Sequence, residues 1–133
     1  MLLTRECDYA VRLIRCLANR EKKSVQTICD SEYIPVKFAY KILKKLERAG
    51  IVRSIRGTNG GYQLMKPVDC ITLYEIVNAV DDSLLVNECL QPSHICPHNA
   101  DGKCCRFHQE FGRIQEVLVN ALSANTIDKF INT

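Results

Sequence analysis

The sequence predicts a mainly helical protein with one small β-hairpin and a long C-terminal helix. Three observations carry this reading. Apolar residues recur at helical spacing through 9–17, 39–46 and 107–122; the glycine-rich RGTNGG at 56–61 separates two short strand-like runs; and Pro35 and Gly50 punctuate the joints between helical patterns.

In chain order, Thr4 caps a first helix to about Asn19, with Tyr9, Ala10, Leu13, Ile14 and Leu17 on one face. Ser24 opens a second, short helix. It should end at Tyr33-Ile34-Pro35, because the residue before a proline is biased away from the helical region and the ring suits the first turn of the next helix. The third helix, VKFAYKILKKLERAG, stops at Gly50, where a left-handed C-terminal residue is expected. Ile51–Ile55 and Tyr62–Met65 then read as strands, with RGTNGG as a tight turn. Helix, helix, helix, strand, turn, strand is the order of a winged helix-turn-helix. In the following ITLYE, Thr72 and Glu75 form a capping box that opens a fourth helix. The long helix carries Phe107, Phe111, Ile114, Val117, Leu118 and Leu122. Residues 1–80 are thereby assigned to a DNA-binding domain, and 81–133 to a cysteine-rich loop and dimerisation helix.

Length and composition bound the function. At 133 residues and 47% hydrophobic content the chain matches one compact domain, or a small domain with an oligomerisation arm, which excludes a large enzyme. Arg5, Glu6 and Asp8 interrupt the N-terminus where a signal peptide needs apolar residues, and no run of about 18 apolar residues occurs. A soluble cytoplasmic protein without a membrane partner is expected. No nucleotide loop, paired catalytic carboxylates or nucleophile-base arrangement is visible, so the reading is not an enzyme.

Charge divides sharply at Pro67. Before it stand 14 Lys/Arg and 6 Asp/Glu; from it onward, 4 and 9, so the halves carry about +8 and −5. The basic half is the one to meet a polyanion. On a helical wheel Lys37, Lys41, Lys44 and Arg48 fall within about 60° of one another, opposite Ala39, Ile42, Leu43 and Leu46. In a helix-turn-helix such a face enters the major groove of double-stranded DNA, where lysines reach phosphates or guanine acceptors and Tyr40 contacts a phosphate or base edge. Arg56, with Thr58 and Asn59 at the glycine-rich tip, is placed to reach the minor groove.

IPVKFAYKILKKLERAGIVRSIRGTNGGYQLMKP, then ITLYEIVNAVDD, together with the N-terminal MLLTRECDYA and the later cysteines, resembles the winged-helix iron-sulfur regulators typified by IscR, NsrR and RirA. The resemblance covers nearly the whole chain. It implies a homodimer whose long C-terminal helices cross, two winged helices on a palindromic operator, and three loop cysteines holding an iron-sulfur cluster. It also places Lys37, Phe38, Tyr40 and Lys41 at the start of the recognition helix and makes Arg56 the wing arginine. Tyr40 stands where the cluster-biogenesis regulators carry a glutamate, which leaves the operator sequence open.

Residues 89–108, CLQPSHICPHNADGKCCRFH, hold four of the eight cysteines and all three histidines. In a reducing compartment such a concentration points to metal or redox chemistry. The residues themselves leave three readings: an iron-sulfur cluster, zinc, or a bare thiol switch. Intervals of six and then seven or eight residues between Cys89, Cys96 and Cys104/Cys105 argue modestly against zinc, whose structural sites favour C-x2-C pairs. With the resemblance, a 2Fe-2S or 4Fe-4S cluster leads. Cys89 and Cys96 are ligands on this reading, and the third comes from the vicinal pair, because adjacent residues entering a helix point about 100° apart. Cys105 is preferred and Cys104 is its substitute, since Cys105-Arg106-Phe107-His108 resembles the C-x2-H of the cluster-biogenesis regulators and the C-R-L of the nitric-oxide sensors. The fourth ligand is Asp8 from the partner subunit, by resemblance to the sensors, or His108, three residues along the helix from Cys105. Cys7, Cys16, Cys29 and Cys70 are read as small hydrophobes, and His94 and His98 as loop residues. Two alternatives stand beside the sensor: a cluster-free thiol or small-ligand regulator of the same fold, and a small iron-sulfur redox protein.

Overall fold

The computed structural model describes residues 3–131. Thr4 caps α1 (Arg5–Cys16) by accepting from the Cys7 amide, and Ser24 caps α2 (Val25–Glu32) by accepting from Thr27. α2 stops one residue earlier than the proline demands, because Tyr33 takes the left-handed conformation at φ 56°. Pro35 is then the N-cap residue of α3 (Val36–Arg48), not part of its first turn as the sequence suggested. Gly50, at φ +75°, lies just beyond the C-cap Ala49 and turns the chain into the hairpin, as its position predicted.

β1 (Val52–Ile55) pairs antiparallel with β2 (Gly61–Leu64), from Val52 opposite Leu64 to Ile55 opposite Gly61. The loop between them spans residues 56–60, longer than a two-residue turn, and is closed by the Gly60 amide on the Gly57 carbonyl at 2.9 Å. Tyr62 and Lys23 also exchange backbone hydrogen bonds of 2.9 and 3.0 Å, so the wing is stitched to the segment between α1 and α2. A Cβ at Gly61 would overlap the Lys23 carbonyl, which makes glycine a requirement of that stitch.

A single 3-10 turn, Val68–Cys70, leads to α4 (Leu73–Val80), whose Thr72–Glu75 capping box is complete. After the cysteine-rich loop, α5 (Arg106–Ser123) runs as the long helix, and a short α6 (Asp128–Ile131) ends the described chain. One hydrophobic cluster joins Leu13, Ile14 and Leu17 of α1, Ile28 of α2, Ile42, Leu43 and Leu46 of α3, and Ile76 and Val77 of α4. Leu84, Leu122 and Ile127 enter the same cluster. The chain after α5 is fastened by the Ile127 amide on the Ile71 carbonyl at 2.8 Å, so α5 docks by its C-terminal end. Further toward its N-terminus one face of α5, with His108 and Gln115, lies against the cysteine-rich loop and the segment before it, while the other is uncovered: Phe107 and Val117 are 76% and 56% exposed.

Candidate nucleic-acid interface and cysteine-rich site

The candidate DNA-binding face is set by what α3 buries. Ala39, Ile42, Leu43 and Leu46 are wholly buried, and Ile34 anchors the turn before them. Helical geometry therefore turns the opposite face outward. Lys37, Phe38, Tyr40, Lys41 and Lys44 are all exposed, and so are Arg56, Thr58 and Asn59 of the wing. Tyr40, Arg56 and Thr58 meet around one open cleft of about 480 Å3, bordered by Ser24 and Gln26 at the start of α2. Phe38 stacks obliquely on Tyr9 of α1, ring centroids 5.9 Å apart, so part of its surface is already committed within the chain.

Two acidic residues shape this basic surface, and neither was singled out from sequence. Glu6 of α1 accepts from Lys41 at 2.5 Å and from Lys45 at 2.7 Å, and Lys45 also donates to the Val80 carbonyl at 2.9 Å. Hydrogen bonds from Lys41 and then Lys45 hold the Glu6 carboxyl below its usual range. Glu47, at the far end of α3, accepts from the Ser54 hydroxyl at 2.7 Å and the Ser54 amide at 3.1 Å. Those two bonds depress the Glu47 carboxyl, with Arg56 adding a smaller attraction. Glu47 thereby braces the first strand of the hairpin against α3. These partners lie 35, 39 and 7 residues apart, too far for any helical or alternating pattern to announce them.

The second site lies between α4 and α5. Cys89 sits in a single 3-10 turn, Glu88–Leu90, and Cys96 precedes another, Pro97–Asn99. Together with His94, Asn99 and His108 they line a cavity of about 270 Å3. Cys105 is the N-cap residue of α5 and half-buried; Asn99 Oδ1 accepts from its amide at 3.2 Å, tying the helix start to the cavity wall. Its neighbour Cys104 is exposed and turned along α5, where Gln109 Nε2 donates to its sulfur at 2.8 Å. The structure thus brings Cys89, Cys96 and His108 to one cavity, with Cys105 beside it at the helix start. Among the described residues, no three Cys, His, Asp or Glu side chains converge tightly enough for a single metal ion.

Asp8 stands exposed on α1, paired with Arg12 at 3.0 Å, and no hydrogen bond or ion pair among the described residues joins it to the cysteine loop of its own chain. Of the four cysteines read as small hydrophobes, Cys7 and Cys29 are buried and Cys16 is half-buried, whereas Cys70 is exposed. Burial pushes the Cys29 thiol up, with Asp30 adding to it. His94, read as a loop residue, does line the cavity; His98 is exposed. No helix of the described residues is long and apolar enough to cross a membrane.

Comparison with known proteins agrees with this architecture. Protein aau3 of Rhizobium meliloti is 41% identical over 100 residues, covering 73% of this chain; the chain spans 65% of that relative's length. Among solved structures, the oxidized form of Staphylococcus aureus CymR superposes with a TM-score of 0.72 at 21% identity, covering 100% of this chain and 98% of that one. IscR of T. potens gives 0.73 at 18%, covering 96% and 84%. These two likenesses establish the fold. A family model described as Rrf2, iron-dependent transcriptional regulator, matches residues 3–133. With nearly the whole chain inside that match, and its winged helix-turn-helix in place, the protein belongs to the Rrf2 family of transcriptional regulators.

Proposed function

We propose that this regulator binds palindromic duplex DNA as a homodimer and senses iron, redox or nitric-oxide status through an iron-sulfur cluster. The observation that carries the reading is the cavity shared by Cys89, Cys96 and His108, to whose wall the Cys105 amide is tied through Asn99. Soft thiolates suit iron-sulfur clusters. The intervals of six and then seven or eight residues between Cys89, Cys96 and Cys104/Cys105 lack the C-x2-C pairs that structural zinc sites favour. Cys89, Cys96 and Cys105 would hold the cluster, with Asp8 of the partner subunit or His108 as fourth ligand. Bound there, the cluster supplies a redox- and nitric-oxide-reactive centre.

The chain's own residues connect that loop to the DNA face. Lys45 on α3 holds the Val80 carbonyl at the end of α4, and Gln115 on α5 holds Leu84 and Val86 just before the cysteines. A change in the loop therefore bears on both α5, the dimer helix of this reading, and the recognition helix. Lys37, Phe38, Tyr40, Lys41 and Lys44 read the major groove, and Arg56, Thr58 and Asn59 serve the wing.

The test compares DNA affinity of cluster-loaded and chelator-stripped protein for a duplex selected from a random pool. A difference of tenfold or more is expected; equal affinities would remove cluster sensing. The cluster-free thiol reading has one observation in its favour, the Cys104 sulfur, which is exposed to an oxidant and held in place by a hydrogen bond from Gln109. It requires a colourless protein whose DNA affinity responds to oxidant.

A further inference from the structure

The basic face of α3 is not uniformly available. Among the described residues Lys37, Lys44 and Arg48 form no ion pair, whereas Lys41, from the middle of the same face, is bound at 2.5 Å by Glu6. Exposed ion pairs are individually weak. This carboxylate, however, is anchored from the core side: its other oxygen accepts from Lys45, which is only 23% exposed and is itself fixed on the Val80 carbonyl. Glu6 therefore keeps its position when Lys41 swings away.

We infer that Glu6 is a specificity-determining residue of the DNA-binding face, withholding Lys41 from phosphates and keeping it for contact with base edges. The inference rests on the reading that α3 faces duplex DNA. Binding to DNA of any sequence comes almost wholly from phosphate neutralisation, each contact releasing counterions. A lysine already neutralised by a fixed carboxylate releases few, and a phosphate approaching it meets the negative charge of Glu6. Operator DNA is compensated differently: a lysine held in place loses less freedom when it donates to guanine O6 or N7. Glu6 thus lowers affinity for non-operator DNA more than for the operator.

Fluorescence titrations of a mixed-sequence duplex, and of a duplex selected from a random pool by the wild-type protein, across a range of KCl concentrations test this. Glu6→Gln should tighten binding to the mixed duplex by roughly five- to tenfold at about 0.1 M salt and steepen the log-log salt slope by about 0.9, the signature of one added phosphate contact. The ratio of selected to mixed affinity should fall. Lys41→Gln should leave the mixed-duplex slope unchanged while weakening the selected duplex, whereas Lys44→Gln should reduce the mixed slope by about 0.9. An unchanged slope and ratio in natively melting Glu6→Gln, or weaker binding of both duplexes, would overturn the inference. If Glu6→Gln does not fold, Lys41→Gln decides alone, and a slope reduced as much as in Lys44→Gln refutes it. Wild-type protein that binds neither duplex overturns the DNA-facing reading of α3 together with this inference.

Discussion

Gln115 donates from Nε2 to the Leu84 carbonyl at 2.7 Å, and its Oε1 accepts from the Val86 amide at 2.8 Å. One side chain of α5 thus holds the segment that enters the cysteine-rich loop by two backbone groups. Gln115→Ala removes two part-buried hydrogen bonds and is expected to cost about 1–2 kcal/mol, with loss of visible absorbance to a chelator several times faster. Denaturant melts and timed spectra check both; unchanged chelation kinetics would show that the loop is fixed by other contacts.

The Thr72–Glu75 capping box makes acid stability predictable. Burial raises the Glu75 carboxyl, but the Lys66 ammonium at 2.9 Å and the Thr72 amide outweigh it and hold the group below its usual value near 4.5. Because the folded-state value is the lower one, the stabilisation is complete above the unfolded value and is lost as pH falls through the folded value. Thermal melts should therefore show a wild-type advantage over Glu75→Gln at pH 7 that shrinks below about pH 4.5. At neutral pH, Thr72→Ala should cost about 1 kcal/mol.

DNA binding should weaken steeply with salt, because the basic half supplies the phosphate contacts. Lys44→Ala is expected to weaken selected and mixed duplexes about equally. Arg56→Ala, at the wing, should instead reduce discrimination by about 1–3 kcal/mol at the bases it contacts. Equal losses on both duplexes for Arg56→Ala would make the wing a phosphate anchor.

The uncovered stripe of α5 predicts the homodimer. Phe107, Ile114 and Val117 are exposed, and an apolar patch on a helix of 18 residues is a liability in a monomer. Val117→Asp should shift the protein towards monomer in light scattering at micromolar concentration and abolish binding to two half-sites about one helical turn apart. An unaltered dimer would place the interface elsewhere.

Much of this architecture was legible because its signals are local. Thr4, Ser24 and the Thr72–Glu75 pair cap helices through bonds three residues long, Gly50 needs only its own positive φ, and the buried face of α3 follows from its period. What escaped is long-range. The Lys23–Tyr62 stitch, the Ile127–Ile71 fastening and the Glu6–Lys41–Lys45 group join residues 35 or more apart, and no periodicity encodes which partner a distant residue meets. Pro35 shows a subtler miss: proline suits both the cap and the first turn, and the left-handed Tyr33 before it decided between them. At the cysteine site, the loop spacing brought Cys89, Cys96 and His108 into view but not Asn99, whose role depends on how the loop folds back on Cys105.

The cluster is tested by the iron and sulfide content and visible spectrum of protein purified without oxygen, for wild type and for single alanine variants at Cys89, Cys96, Cys104, Cys105, Asp8 and His108. A coloured wild-type protein with matched iron and sulfide is expected, with colour lost in Cys89→Ala, Cys96→Ala and Cys105→Ala but kept in Cys104→Ala, and an altered spectrum in one of Asp8→Ala or His108→Ala. A colourless wild-type protein without iron, or one carrying zinc instead, would contradict it.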